Sequence, residues 1–134
     1  MSQDDFLSWP DDVQALIDDV ETVEGLDLMC LVARDPAAAW RVEQLSDELA
    51  VDRYLVEDSI RRLVAKGLLD RAADGTVRPL LPPARIGTMS ELTRLSEHDR
   101  ANVLGAIAYF SIGRIRTSAA RAFVRKPPPD PDES

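Results

Sequence analysis

Cysteine and histidine are almost missing from this 134-residue chain, with one of each, Cys30 and His98. A lone cysteine closes no internal disulfide, and one Cys with one His cannot form the usual zinc-ligand spacings. Aromatic side chains make up only 5% of residues, so a core must come mainly from Leu, Val, Ile and Ala. The longest uncharged run, Ala101 to Gly113, is too short to cross a bilayer. No basic start followed by an apolar stretch opens the chain, so no secretory signal is expected and the protein is read as cytoplasmic. No glycine-rich phosphate loop is present. His98 stands among Glu97, Asp99 and Arg100 in a polar turn and reads as a surface residue, not a general base. Cys30, between Met29 and Leu31, reads as a buried, inert thiol. No catalytic residue, cofactor or metal is expected.

Charge of one sign is missing at each end. Residues 1–24 hold eight acids and no Lys or Arg, whereas Arg100 to Lys126 holds six basic residues and no acid. The net charge is −8, yet residues 25–126 carry all sixteen basic residues and only thirteen acids. The central body is therefore mildly basic and the ends are polarised.

What is present is helical periodicity. Phe6, Trp9, Val13, Leu16, Val20 and Val23 recur at steps of three and four, and Asp pairs repeat every seven residues on the other side. Residues 1–8 are expected to fray, with Ser8 as a cap and Pro10, Asp11 and Asp12 in the first turn. This acidic segment, 1–24, is expected to dock on the chain's own body or on a partner. Leu26, Met29, Cys30 and Ala33 stripe the next helix, roughly Thr22 to Arg34, which Asp35-Pro36 stops. Trp40 is expected at the edge of the core with its indole N–H near water.

Val42, Leu45 and Leu49 then form one apolar face, and Val56, Ile60 and Leu63 another, with Val51-Asp52 between them. Gly67 follows where a left-handed cap is expected. Leu68 to Arg71 and Thr76 to Arg78 flank Ala-Ala-Asp-Gly, a hairpin signal. The run from Leu45 to Leu49, with Val56, Ile60, Leu63 and Lys66-Gly67-Leu68-Leu69, resembles bacterial winged helix-turn-helix regulators of the MarR and ArsR kind. The resemblance covers about forty residues. It implies a mainly α fold: a three-helix core plus a β-hairpin wing over 25–83, with an extra N-terminal helix and C-terminal helices.

After Pro79, Pro82 and Pro83, Ala84 to Thr88 reads as a linker and Ser90 to about Ile112 as one long helix. Its second half is apolar all round, which implies burial from more than one side. Ser111 to Gly113 is expected to bend the chain into a basic helix, and 127–134 to be a disordered acidic tail. Region 84–126 is expected to dimerise through Val103, Leu104, Ile107, Phe110, Ile115 and Phe123.

The resemblance implies that the second helix of the motif enters a DNA major groove. Arg53 and Tyr54 would then meet base edges, and Arg61, Arg62, Arg71 and Arg78 would hold phosphates. Glu57 and Asp58 depart from the usual pattern, because two adjacent carboxylates repel a phosphate backbone. Two readings follow. The first is a homodimeric regulator that binds double-stranded DNA. The second is a winged-helix docking module for a protein partner, whose acidic N-terminal helix binds a basic surface or imitates DNA. A bridging possibility lays the acidic segment over the protein's own basic surface.

Overall fold

The computed structural model describes residues 5–125, with side chains from 6 to 117. The fold is mainly helical with one small two-stranded antiparallel sheet. A 3-10 turn, Asp5–Ser8, precedes α1 (Asp11–Val20) and α2 (Val23–Ala33). Next come α3 (Val42–Leu49), α4 (Arg53–Ala65), β1 (Leu69–Arg71) and β2 (Val77–Pro79). The described residues end with α5 (Pro83–His98) and α6 (Arg100–Arg125). No helix among the described residues is long and apolar enough to cross a membrane.

Residues 5–8 are more ordered than their sequence suggests, and residues 1–4 of the segment expected to fray lie outside the described residues. Phe6 is buried and packs edge-on against Trp9 and Phe110 and tilted against Tyr109. This aromatic cluster tethers residues that were expected to fray. Pro10, not Ser8, stands at the N-cap position of α1, with no side-chain capping bond from it. Val13, Leu16, Ile17 and Val20 are almost fully buried, packed mainly against α5 and α6. Burying each such side chain contributes about 1.5–3 kcal/mol, so α1 is part of the core and not an appendage.

The α1–α2 corner is tight. Glu21 takes a left-handed φ of 65°, and Thr22 Oγ1 accepts from the Gly25 N–H at 2.9 Å. Gly25 is required there, because a Cβ would collide with the carbonyl oxygen of Val20. Between α3 and α4, Ala50 is left-handed at φ 53°, and Ser46 Oγ donates to the Val51 carbonyl at 2.5 Å. The α3 start is closed by Gln44 Oε1, which accepts from the Arg41 N–H at 2.9 Å. Gly67, at φ 76°, ends the turn after α4, as glycine can without a Cβ penalty.

In the hairpin, Leu69 pairs with Pro79, Asp70 with Arg78 and Arg71 with Val77. Asp74 Oδ1 accepts from the Thr76 N–H at 3.0 Å and from its hydroxyl at 2.7 Å, and Gly75 takes φ 88°. Trp40 differs from expectation. Its backbone exchanges two 2.8 Å hydrogen bonds with Val77, adding an isolated bridge to the hairpin. Its indole N–H is buried without a partner among the described residues, not directed to water.

The C-terminal helices also depart from expectation. Ala84 to Thr88 is helical, because Pro83 sits at the first position of α5, where its missing N–H costs nothing. The break falls at Asp99, not at Ser111–Gly113. The Asp99 N–H closes α5 on the Leu95 carbonyl, and its own carbonyl accepts from Asn102 and Val103 to start α6. The Asn102 amide donates to both Asp99 carboxylate oxygens, at 3.0 and 3.1 Å. The expected tail, 127–134, lies outside the described residues.

Candidate nucleic-acid interface

Helix α4 is oriented by its apolar face. Val56, Ile60 and Leu63 are almost fully buried, packing the helix mainly against α2 and α3. That leaves Arg53, Tyr54, Arg61 and Arg62 outside, with Glu57 and Asp58 half-buried between them. Tyr54 is 73% exposed and Leu55 is 43% exposed. A tyrosine and a leucine this open on a helix face are available to a macromolecular partner.

The basic residues of this face are not free. Arg53 donates to Glu43 on α3 at 2.8 Å. Arg61 and Arg62 both donate to Asp58, the latter at 2.9 Å. Arg71, on β1, makes a two-pronged contact with Glu57 at 2.9 and 3.0 Å. That bidentate pair ties the hairpin to α4 and fixes its angle to the helix. Arg78 is exposed, with no ion pair among the described residues.

These contacts set the electrostatics. The Arg71 guanidinium holds the Glu57 carboxyl below its ordinary value, and Arg61, then Arg62, does the same for Asp58. Arg62 and Arg71 are raised in turn by Asp58 and Glu57. The Thr76 hydroxyl and N–H hold Asp74 low at the tip of the hairpin. From Arg41 to Pro79 the chain carries seven basic and eight acidic residues, so this unit is close to neutral.

The end of α1 reaches the same face. Glu21 lies 3.4 Å from Arg62 and 3.8 Å from Lys66. Three other N-terminal acids contact the C-terminal helices. Asp19 pairs with Arg85 at 2.8 Å, Asp18 with Arg114, and Asp12 accepts from the Thr88 hydroxyl at 2.7 Å. The charge polarity of the two chain ends is thus partly neutralised within the protomer. Nothing local in the sequence signals these pairs, since Asp18 and Arg114 stand 96 positions apart.

The residues expected at a subunit interface fall into groups. Val103 and Ile107 are buried in the protomer's own core, at 0% and 5% exposure, because α1 covers that side of α6. Leu104 and Phe110 are half-buried against the same core. Ile115 is 67% exposed. Phe123 has no described side chain. Cys30 is buried, and burial pushes its thiol up, in keeping with an inert group. No protein-family model, no curated protein and no solved structure matches the chain.

Proposed function

We propose that the protein is a winged helix-turn-helix regulator that binds double-stranded DNA as a homodimer. Helix α4 acts as the groove-reading element and the β1–β2 hairpin as the wing. The observation that carries this is the open N-terminal half of α4, where Tyr54 is 73% exposed, flanked by a hairpin pinned through Arg71 and Glu57. Arg53 and Tyr54 stand at the N-terminal end of α4, where base-edge contacts are usual in such helices. Arg78 is the side chain on the wing best placed to take a phosphate without first breaking an ion pair. Arg61 and Arg62 must exchange Asp58 for phosphate and Arg53 must leave Glu43, while Arg71 stays on Glu57 and keeps the wing in place. Exposed ion pairs are weak enough for that exchange. Fluorescence anisotropy with duplex fragments at low salt tests the reading. Binding should fall steeply as salt rises and weaken in Tyr54→Ala and Arg53→Ala. Affinity no better than that of an unrelated acidic protein would overturn it.

A second reading, docking to a protein partner, draws support from one observation. Arg53, Arg61, Arg62 and Arg71 are each paired with an acid, which leaves the exposed Tyr54 and Leu55 in a near-neutral surround. A large aromatic inside a ring of satisfied charges suits a protein interface. Salt-insensitive partner binding that Tyr54→Ala abolishes would favour it over DNA.

A further inference from the structure

Glu21, at the corner between α1 and α2, takes φ 65° and ψ −44°, and the Thr22 N–H donates across it to the Val20 carbonyl at 2.7 Å. This is a γ-turn of the rare kind, which a residue with a side chain adopts only under constraint. Buried Val20 and Leu26 fix the chain on either side. Gly25 leaves room for the Val20 oxygen, which a Cβ would meet at 2.4 Å. From α6, Arg114 donates to the Asp18 carbonyl at 3.1 Å and to the Glu21 carbonyl at 3.3 Å, and it pairs with the Asp18 carboxylate. The turn sets the Glu21 carboxylate against α4. One oxygen lies 3.4 Å from the Arg62 guanidinium and the other 3.8 Å from the Lys66 ammonium. These two cations stand four positions apart on one face of the helix end. Lys66 meets no other acid among the described residues.

Stability does not explain this arrangement. Holding a glutamate at such a φ and ψ disfavours the fold by roughly 5- to 150-fold. Ion pairs to cations as open as Arg62 and Lys66, at 50% and 41% exposure, return about fivefold at most. We propose that Glu21 is an autoinhibitory residue. Its carboxylate occupies, on Arg62 and Lys66, the place of a DNA phosphate, and Arg114 is the positioning residue that holds it there. The proposal rests on the DNA reading above. A carboxylate offers the two cations paired oxygens and a negative charge, as a phosphate does. Among the ion pairs of the described residues, Glu21 is the N-terminal acid that reaches α4. Loss of Arg114 removes the donor on the Glu21 carbonyl, so the corner relaxes toward an ordinary φ and carries the carboxylate off α4.

Arg114→Met gives the sharpest test, because it removes a positive charge. By charge alone it weakens binding to a polyanion. Here it should tighten binding of the full chain to a labelled duplex, by at least about twofold at about 50 mM salt, because Arg62 and Lys66 are uncovered. Glu21→Gln should tighten it by at least about threefold, and in that background Arg114→Met should bring no further gain. Circular dichroism verifies the fold. Glu21→Gly adds a readout without DNA. Glycine adopts positive φ without a Cβ penalty, so its unfolding constant in urea should lie at least about fivefold below that of Glu21→Gln. If Arg114→Met does not fold, Glu21→Gln and Glu21→Gly together carry the test. Weaker duplex binding by folded Arg114→Met, unchanged binding by Glu21→Gln, or a glycine variant no more stable than the glutamine one would each overturn the inference. A parent that binds duplex while no variant differs from it sinks the autoinhibition and spares the DNA reading. Failure of the parent and of every variant to bind duplex at low salt sinks both.

Discussion

Asp58→Asn isolates the tension at the heart of the site. Asp58 now engages two arginines, Arg61 and Arg62, on the outer face of α4. The amide keeps the shape and removes the charge, so it releases Arg61, leaves Arg62 with only the longer contact to Glu21, and deletes one repulsion from phosphate. If both then neutralise phosphates, each should steepen the dependence of log K on log salt by about 0.9, or roughly 1.8 together. Between about 200 and 50 mM salt, a fourfold change, the variant should gain roughly twelvefold more affinity than the parent gains. The assay is anisotropy of a labelled duplex across that range, with circular dichroism to verify the fold. Equal slopes for the two proteins, with folding intact, would refute the claim that Arg61 and Arg62 face the DNA backbone.

Other expectations follow from the same geometry. Glu57, Asp58 and Asp74 are all held below their ordinary values. Their stabilisation is therefore complete above the unfolded values, 4.5 for Glu and 3.8 for Asp, and is lost as pH falls through the lower folded values. Thermal melts should be nearly flat from about pH 6 to 8 and decline below about 4.5; a decline already at neutral pH would contradict this. Gly25→Ala should cost about 1–3 kcal/mol in urea unfolding, because the added methyl meets the Val20 carbonyl. Trp40→Phe should leave stability within about 1 kcal/mol of the parent, because losing ring contact is offset by removing an unpartnered buried N–H. A loss above about 3 kcal/mol would mean that the indole N–H is satisfied.

Much of the fold was legible because it is local. Val56, Ile60 and Leu63 announce their helix by period, and Gly67 and Gly75 mark turns whose φ values of 76° and 88° suit glycine. What escaped was non-local. Pro82-Pro83 reads as a stop, yet Pro83 starts α5, since the same fixed φ serves an exit and a first helical turn. Asp99 breaks a polar stretch without a glycine or proline to flag it. Trp40's bridge to Val77 spans 37 positions and has no local sequence signal. At the site, the outward positions of Arg53, Tyr54, Arg61 and Arg62 follow from period alone. Their acid partners on α3 and α1 do not, because Glu43 and Glu21 arrive through tertiary packing. The same packing rules out deleting residues 1–24 as a test of electrostatic shielding, since Leu16 and Ile17 are fully buried. Glu21→Gln is the cleaner probe: releasing Lys66 and leaving Arg62 with Asp58 alone should raise DNA affinity with the fold kept.

The most direct measurement is amide chemical-shift mapping of the full chain during titration with duplex DNA. The account predicts shifts concentrated in the first turns of α4, from Arg53 to Asp58, and at the hairpin tip from Ala72 to Val77. Shifts confined to the far side of the molecule, or none at saturating duplex, would contradict it.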